Sequence, residues 1–435
     1  MLKRKAEKSL MEWKKDHHKE ALLVMGARQV GKTFLIESFI EDNYRHVVKF
    51  DLVDQADVKR AFDAATSSDD LFLAISAFAG AGLVPGSTVV FIDEVQECKE
   101  ALTLIKYLAQ RTEYDFILSG SLLGVELKDM RSAPVGYLTI VEMFPLDFEE
   151  FCWANGVGNE TWQEMLAAFR EKRPVQAAVH ERLLKLLHLY LLIGGMPRPV
   201  DAFLRSTNVA VAQQRQMDIL DLYRFDIAKY ANVDKKLMIR EIYDEMPSQL
   251  DSQSKRFNFS TLAPRGTYER YKEDFVWLVD AGVAISVRNV KEPKRPLRLS
   301  EDRSFFKLFM NDVGLLSRAF GLETARSMVS NEFNMNYGAI YENAVAEELR
   351  SHGFSGFFFR NRKVGEVDFL IQLHDAVLPI EVKSGKSYKR HNALRNLLDT
   401  TNYGISEAIV LCEDNLSVDG AIAYCPVYMV AALKR

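Results

Sequence analysis

Short apolar runs alternate with helix-like stretches along the first 150 positions of the chain. Five of the runs are bounded by polar positions and predict the strands Leu22–Met25, His46–Leu52, Thr88–Asp93, Phe116–Ser119 and Leu138–Val141. Strands that alternate with helices are typical of a parallel α/β sheet. The pattern therefore predicts a domain with a parallel sheet over residues 1–150.

The pattern becomes helical over residues 161–225 and changes again after residue 235. Three short helices and two strands are then predicted, at Lys236–Leu250, Phe259–Leu262, Tyr268–Ala281, Val283–Val287 and Leu297–Leu299. Three helices followed by a β-hairpin are typical of a winged helix. We therefore predict a helical region with a winged-helix-like module over residues 151–330.

The winged-helix-like module offers two surfaces of different charge. Its candidate recognition helix carries more acids than bases, which argues against binding of this helix in the major groove of DNA. Its hairpin is basic and can contact phosphates through Arg288, Lys291, Lys294, Arg295 and Arg298. The balance favours a protein-interaction or inter-subunit role over DNA contact.

An α/β pattern returns over residues 331–435. A helix is predicted at Tyr337–Ser351, and strand segments follow at Phe357–Arg360, Gly365–Ile371, Leu378–Lys386 and Ala408–Leu411. The region is long enough for a domain of its own.

Length and composition narrow the class of protein. A chain of 435 residues with ordinary apolar content holds two or three domains. The net charge of −4 excludes a global polycation, so nucleic-acid binding needs a local basic patch. Four scattered cysteines predict reduced thiols and no zinc site, and no run approaches the ~20 apolar residues of a membrane span. No secretory signal is seen, so we predict a cytoplasmic protein without a membrane partner.

The clearest chemical signal lies between the first strand and the helix after it. The residues there read Gly26-Ala27-Arg28-Gln29-Val30-Gly31-Lys32-Thr33, the G-x-x-x-x-G-K-T pattern of a phosphate-binding loop. Its glycines let backbone N–H groups point at phosphate oxygens, Lys32 reaches the β- and γ-phosphates, and the Thr33 hydroxyl ligates Mg²⁺. The alternative is a glycine-containing turn that binds no ligand.

Two later strands end in polar residues at the same edge of the predicted sheet. Asp93 and Glu94 follow a buried strand, as a Walker B element requires, so that Asp93 binds Mg²⁺ and Glu94 polarises the attacking water. The alternative is that the two acids cap a following helix. Ser119 or Ser121 ends the next strand and is predicted to contact the γ-phosphate or the water, unless both serines only form a turn.

A second group of charged residues lies in the C-terminal pattern. In Glu381-Val382-Lys383 the two-residue period of a strand puts the acid and the lysine on one face, and hairpin pairing brings Asp368 beside them. Two carboxylates can then hold Mg²⁺ while the lysine orients or activates a water. The alternative is an exposed edge strand of alternating charge, and the alternation alone does not decide.

The chain resembles the AAA-type ATPases of bacteria and archaea that carry a C-terminal domain of unknown function. The resemblance covers nearly the whole chain and rests on segments at Gly26–Thr33, Ile92–Gln96, Ser119–Ser121, Phe144–Phe151, Tyr190–Pro197 and Tyr223–Tyr230. It implies an additional-strand, AAA-like core and ATP hydrolysis. Because AAA-type domains often take an arginine from a neighbouring subunit, it also implies a homo-oligomer.

One departure from that family concerns the arginine that assists at the γ-phosphate. The family commonly has a Gly-Arg pair before its fifth strand, and the corresponding pair here is Gly136-Tyr137. Arg131, Arg198 and Arg224 are alternatives for this role, and a surface or structural role is the other interpretation of each. The departure implies slower hydrolysis and leaves ATP binding intact.

The charged C-terminal group is similar to that of the PD-(D/E)xK nuclease superfamily. Asp368 and Glu381 match the metal ligands of that superfamily, Lys383 matches its catalytic lysine, and Glu342 matches its helix acid. The resemblance implies a restriction-endonuclease-like α/β domain at residues 331–435.

We therefore expect a multidomain α/β protein that binds ATP and Mg²⁺, hydrolyses ATP, and uses its nucleotide cycle to control a nuclease-like domain acting on DNA or RNA. The alternative is a slowly hydrolysing regulatory switch that binds a protein partner and carries an inactive nuclease-like domain. A DNA-binding module with little catalysis is a third hypothesis.

Overall fold

A computed structural model describes residues 2–16, 20–110, 113–121, 137–230, 235–321 and 337–435. Arg131 and Gly136 lie outside the described residues. Contacts group the chain into two compact units: the first comprises Lys3–Phe144 with Asp280–Gly282, and the second comprises Pro145–Val279 with Val283–Arg435. The division into three domains at residues 150 and 330 stays a prediction.

The first unit is built on a five-stranded parallel sheet. Its strands, in chain order, are β1 Ala21–Met25, β2 His46–Asp51, β3 Thr88–Asp93, β4 Tyr114–Gly120 and β5 Leu138–Glu142. Their order in the sheet is β2-β3-β4-β1-β5, and every pairing is parallel. Strand β4 therefore lies between the strand before the phosphate-binding loop and the strand before Asp93. That insertion agrees with the additional-strand core implied by the resemblance.

Helices connect the strands of the first unit and cover its apolar core. They are α1 Ala6–Asp16, α2 Lys32–Asn43, α3 Ala56–Asp63, α4 Ser68–Ala79 and α5 Lys99–Ala109. Strand β3 is buried along its whole length, as expected for a strand of a covered parallel sheet. Its side chains pack with those of the neighbouring strands and helices, among them Leu23, Phe50, Ile92, Ile105 and Phe116.

The second unit begins with a helical region and ends in a mixed α/β region. Its helices are α6 Phe148–Ala154, α7 Asn159–Glu171, α8 Ala177–Ile193, α9 Pro197–Ser206, α10 Val209–Tyr230, α11 Lys236–Asp251, α12 Tyr268–Asp280, α13 Val313–Ala319, α14 Gly338–Ser351 and α15 Asn392–Leu398. None of the helices within the described ranges is long and apolar enough to cross a membrane.

An eight-stranded mixed sheet forms the other part of the second unit. Its strands are β6 Ala284–Val290, β7 Glu301–Met310, β8 Phe357–Asn361, β9 Gly365–Leu373, β10 Ala376–Val382, β11 Ala408–Cys412, β12 Ser417–Asp419 and β13 Ile422–Pro426, in the order β12-β13-β11-β10-β9-β8-β6-β7. Strands β8, β9 and β10 form an antiparallel meander, and β11 runs parallel to β10 after helix α15. From α14 onward the order of elements is therefore α-β-β-β-α-β.

The predicted hairpin of the middle region belongs to this same sheet. Strands β6 and β7 pair antiparallel, and β6 pairs in parallel with β8. The predicted strand at Leu297–Leu299 is wrong, because Leu297–Ser300 forms a 3₁₀ turn and β7 starts only at Glu301. The turn is closed by a hydrogen bond of 2.7 Å from the Lys291 N–H to the Ser300 carbonyl.

A buried carboxylate holds the turn after α8 in the second unit through hydrogen bonds. Asp312 is fully buried and accepts hydrogen bonds from the backbone N–H groups of Gly195 at 2.6 Å, Met196 at 3.1 Å and Leu315 at 2.9 Å. Two of these N–H groups belong to the turn between α8 and α9, and the third belongs to the first turn of α13. One side chain thus satisfies donors on two segments that are distant in sequence.

We expect Asp312→Ala to lower the free energy of unfolding by roughly 3 kcal/mol, because three buried N–H groups lose their acceptor. The measurement is denaturant unfolding of the full chain followed by tryptophan fluorescence. The exposed Asp399 supplies the control, since Asp399→Ala should change stability by less than about 0.5 kcal/mol. Equal effects of the two substitutions would contradict the role given to Asp312.

Candidate functional site

The loop between β1 and α2 has a backbone that requires glycine at two positions. Gly26 has a φ of 152°, and a Cβ there would collide with the carbonyl of Met143. Gly31 precedes α2 in the left-handed conformation, with a φ of 93°. The sequence pattern therefore matches a loop whose curvature brings successive N–H groups to the N-terminus of α2, as anion binding demands.

The Lys32 side chain folds back into this loop. Its ammonium donates hydrogen bonds to the carbonyls of Gly26 at 3.0 Å and Ala27 at 2.8 Å, and the residue is only 7% exposed. Burial lowers the pKa of Lys32 to about 8, although Glu94 and Asp93 oppose that effect. A cation thus lies inside the loop in the position expected for contact with the β- and γ-phosphates.

Asp93 is held between two hydroxyl groups. One carboxylate oxygen accepts a hydrogen bond of 2.9 Å from the Thr33 hydroxyl, and the other accepts a hydrogen bond from the Ser119 hydroxyl. The position of β4 between β1 and β3 is what brings Ser119 to this carboxylate. Hydroxyl and carboxylate oxygens are the ligands that Mg²⁺ prefers, so Thr33 and Asp93 fit the ion that the sequence predicts here.

Glu94 lies just beyond the strand in a left-handed conformation, with a φ of 53°. Its Oε2 accepts hydrogen bonds from the Gln96 amide at 2.5 Å and from the Ser121 hydroxyl at 3.2 Å. Two neutral donors therefore hold the carboxylate that is predicted to polarise water. Sequence reasoning missed Gln96, which has no motif of its own and is found only through its contact with Glu94.

An arginine of the N-terminal segment contacts both the phosphate-binding loop and the segment after β5. Arg4 donates hydrogen bonds to the carbonyl of Val30 at 2.8 Å and to the carbonyl of Phe144 at 2.7 Å. Sequence reasoning missed this residue because it belongs to an unremarkable charged run. Of the arginines considered for the γ-phosphate, Arg224 pairs with Asp221 and Asp244 at 2.8 Å each, and Arg198 lies 4.0 Å from Asp218.

The second unit brings together the charged residues predicted at its C-terminal end. Lys383 lies 2.7 Å from Oε1 of Glu381, and Oδ2 of Asp368 accepts a hydrogen bond of 2.9 Å from the Val382 N–H. Glu342 comes from helix α14 and lines the same cavity, of about 410 Å³, with Asp368 and Lys383. The four predicted residues therefore lie at one place on the sheet.

Two further lysines belong to this cluster, and sequence reasoning missed both. Lys307 of β7 lies 3.3 Å from Glu342, 2.8 Å from Glu366 and 3.7 Å from Asp368. Lys255, in the segment after α11, pairs with the other oxygen of Glu342. A signal for Lys307 was present, because it is the one charged residue in the apolar run Phe305–Met310.

Burial and the nearby lysines shift the pKa values of the carboxyl groups in different directions. Burial raises the pKa of Asp368, and the neighbouring Glu342 and Glu381 raise it further. Burial also raises the pKa of Glu381, against the opposing effect of Lys383. Burial alone would raise the pKa of Glu342 as well, but Lys307 and Lys255 outweigh it and the pKa is lowered. Glu342 is therefore the carboxylate that the lysines stabilise most directly.

Asp368 and Glu381 do not belong to a compact group of metal-ligand atoms among the described residues. Among the described residues, two groups of three potential ligands bring their ligand atoms within 4.8 Å of one another, and Asp368 and Glu381 belong to neither: they are Asp63, Cys98 and Glu100, and Asp147, Glu348 and His352. The Lys307 ammonium lies instead between the acids from which a metal site would be built. The metal-binding role of Asp368 and Glu381 stays a prediction.

Three family models match consecutive parts of the chain. Residues 18–152 match a model described as an AAA domain, residues 184–326 a Domain of unknown function (DUF8612), and residues 337–428 a Domain of unknown function (DUF4143). The first match confirms the prediction of an AAA-type P-loop domain at the N-terminal end. The nuclease-like nature of the C-terminal domain stays a prediction.

Similar proteins are known from archaea and from a yeast. The chain is 23% identical over 361 residues to the uncharacterized protein MJ1544 of Methanocaldococcus jannaschii, covering 80% of this chain and 71% of that protein. The Walker-type ATPase PABY2304 of Pyrococcus abyssi is 15% identical with a TM-score of 0.43, over 74% of this chain and 96% of that one. The Pif1 helicase of Candida albicans is 14% identical with a TM-score of 0.26, over 42% and 48%. Likeness at these TM-scores supports no conclusion about function.

The lowered pKa of Lys32 predicts a pH dependence of ATP binding. Below pH 8 the side chain is charged and attracts the phosphates, and above pH 8 it loses its proton, so affinity should fall by roughly tenfold between pH 7 and pH 9. Equilibrium titration with Mg²⁺ and ATP across this range measures the change. In Lys32→Gln the affinity should be weak and independent of pH, and a flat profile in the unchanged protein would contradict the prediction.

Proposed function

We propose that this chain binds ATP and hydrolyses it with Mg²⁺, and that its nucleotide cycle controls the C-terminal domain, which acts on nucleic acid. The observation that carries the first part is the hydrogen-bonded set of Thr33, Asp93 and Ser119 beside the Lys32 ammonium. These groups come from the loop and from two different strands, and together they provide oxygen ligands and a cation at the N-terminus of a helix.

Each residue of the N-terminal site has a task in the proposed reaction. The loop N–H groups and Lys32 hold the phosphates, while Thr33 and Asp93 hold Mg²⁺. When bound, Mg²⁺ neutralises the charge that develops on the phosphate oxygens. Glu94, oriented by Gln96 and Ser121, accepts a proton from the attacking water, and Ser119 keeps Asp93 in place. An arginine from a second copy of the chain would complete the site, which extends the proposal to a homo-oligomer.

The proposal for the C-terminal domain rests on the order of its elements and on its charge. In the α-β-β-β-α-β order, Glu342 lies on the first helix, Asp368 on the second strand, and Glu381 and Lys383 at the end of the third, and this arrangement supports the proposed match to the PD-(D/E)xK pattern. A cavity of about 990 Å³ lies nearby and is lined by Arg256, Arg360 and Arg362 among others. Guanidinium groups in such a cavity support contact with phosphodiesters.

The nucleic-acid surface of this proposal differs from the basic hairpin considered first. In the hairpin, Arg288 pairs with Glu301, Lys294 with Glu292 at 3.3 Å and Arg295 with Asp375 at 2.7 Å, so part of its charge is neutralised. By contrast, Arg256 and Arg362 form no ion pair with any residue that the structure describes. The Arg256 guanidinium lies 4.8 Å from the ring centre of Phe305, and no acid among those residues neutralises either charge.

A second candidate function is a slowly hydrolysing switch that binds a protein partner and carries an inactive nuclease-like domain. The observation that favours it is the Lys307 ammonium among the acids of the C-terminal cluster, where a hydrolytic site of this type would place a metal ion. Both candidates share the ATP site and differ in what the C-terminal domain does.

Glu94→Gln should reduce the rate of ATP hydrolysis at least ~100-fold, because the amide cannot accept the proton of the water. ATP affinity should stay close to that of the unchanged protein, since the hydrogen bonds of the Glu94 side chain go to Gln96 and Ser121. Phosphate release and equilibrium ATP binding are measured together on the purified chain. Glu100→Gln, at an exposed position on α5, is the control. Normal hydrolysis by Glu94→Gln would move the water-activating role to another residue.

Reversing two charges in the large cavity should weaken nucleic-acid binding. We expect the double variant Arg256→Glu and Arg362→Glu to bind single-stranded DNA at least roughly tenfold more weakly than the unchanged chain at low salt. Fluorescence anisotropy with a labelled oligonucleotide measures the affinity. Arg205→Glu, at an exposed position on α9, should have little effect. Failure of the unchanged chain to bind DNA or RNA would leave the protein-binding switch as the better candidate.

A further inference from the structure

Lys307 is the most deeply buried cation of the C-terminal cluster. The residue is 1% exposed, and its ammonium contacts three carboxylates at 3.3, 2.8 and 3.7 Å, those of Glu342, Glu366 and Asp368. Two of these acids, Glu342 and Asp368, are members of the predicted nuclease-like set. The ammonium thus lies where a metal ion shared by those two acids would have to bind.

Each acid of the cluster already faces a basic side chain. The acidic members are Glu342, Glu366, Asp368 and Glu381. The basic members are Lys255 on Glu342, Lys307 on three of the acids, Lys383 on Glu381, and Arg360 at 3.4 Å from Glu366. Four acids therefore face four basic side chains. A divalent ion added between Glu342 and Asp368 would place further positive charge beside the buried Lys307 ammonium, in a medium of low dielectric constant.

The backbone and the surroundings keep Lys307 in place. Lys307 lies on the edge strand β7, opposite Val287 in the antiparallel pairing of β6 and β7. The Lys307 side chain is 1% exposed, and its ammonium lies 5.2 Å from the ring centre of Phe358. Withdrawal of the ammonium from the acids would leave a buried charge without compensation, which is costly.

One feature of the cluster does suit a metal ion. Oε2 of Glu381 is buried and has no hydrogen-bond partner among the described residues. A single oxygen does not make a site, because Mg²⁺ requires near-octahedral coordination by oxygen. Both oxygens of Asp368 are already engaged, one by the Val382 N–H and the other by Lys307. Removal of Lys307 would release oxygens of Asp368 and Glu342 to join that of Glu381.

We propose that the Lys307 ammonium holds the cation position of the C-terminal site, so that the nuclease-like cluster binds no divalent metal ion. The inference rests on the nuclease-like interpretation of this domain and is independent of ATP hydrolysis at the N-terminal site. Its consequence is that the domain contacts nucleic acid through its arginine-lined cavity without metal-dependent cleavage. Lys307 is a structural counter-ion in this account and takes no part in a reaction.

The test is titration of the nucleotide-free full chain with Mn²⁺, with the free ion followed by electron paramagnetic resonance. All proteins carry Asp93→Asn, which removes the metal-binding carboxylate of the ATP site. The parent should show no Mn²⁺ site at the C-terminal cluster. Lys307→Met should gain one site per chain with an affinity at least roughly tenfold above that of the parent, because a positive charge leaves and three acids gain a free oxygen. Addition of Asp368→Asn to Lys307→Met should abolish the gain.

Two controls make every outcome decisive. Lys363→Met removes the same charge from an exposed lysine and should produce no Mn²⁺ site. If circular dichroism shows that Lys307→Met does not fold, the comparison of the parent with Asp368→Asn alone decides: equal Mn²⁺ binding supports the proposal. A Mn²⁺ site in the parent that Asp368→Asn removes would overturn it, and so would a folded Lys307→Met without a gained site. ATP hydrolysis, measured separately without the Asp93→Asn change, reports on the N-terminal proposal alone.

Discussion

A buried carboxylate needs hydrogen-bond donors or cations beside it, and the main buried acids of this chain all have such partners. Asp93 meets this need with two hydroxyl groups and the Glu94 N–H, and Asp312 with three backbone N–H groups. Asp368 meets it with one N–H and one lysine. Hydroxyl groups are also suitable metal ligands, whereas a backbone N–H and a lysine ammonium are not.

The residues that the sequence predicts for the N-terminal site lie together in the structure, and their signals are local. The loop at Gly26–Thr33 and the acids after β3 follow from short patterns, and the five strands follow from apolar runs within a few residues of their bounds. The partners that hold these residues, Arg4 and Gln96, could not be predicted, because each acts through a contact that only the tertiary structure creates. The same reason explains why Lys307 was missed although it stands out in an apolar strand.

The middle and C-terminal regions are the part that local patterns describe least well. The sequence predicts a winged-helix-like hairpin at Val283–Val287 and Leu297–Leu299, but β6 pairs with β7 and with β8 and extends the C-terminal sheet. Strand pairing over such a sequence distance leaves no periodic signal. The sheet also crosses the boundary between two family models, because residues 184–326 supply β6 and β7 whereas residues 337–428 supply β8 to β13.

Because of that shared sheet, Lys307 and the acids of the C-terminal cluster lie in regions that match different family models. Lys307 belongs to the stretch that ends at residue 326, and Glu342, Glu366, Asp368 and Glu381 belong to the stretch that begins at residue 337. A fragment cut between them would carry the acids without Lys307 and Lys255, and its chemistry would misrepresent the whole chain. A change of charge at either lysine of the first stretch would therefore alter the acids of the second.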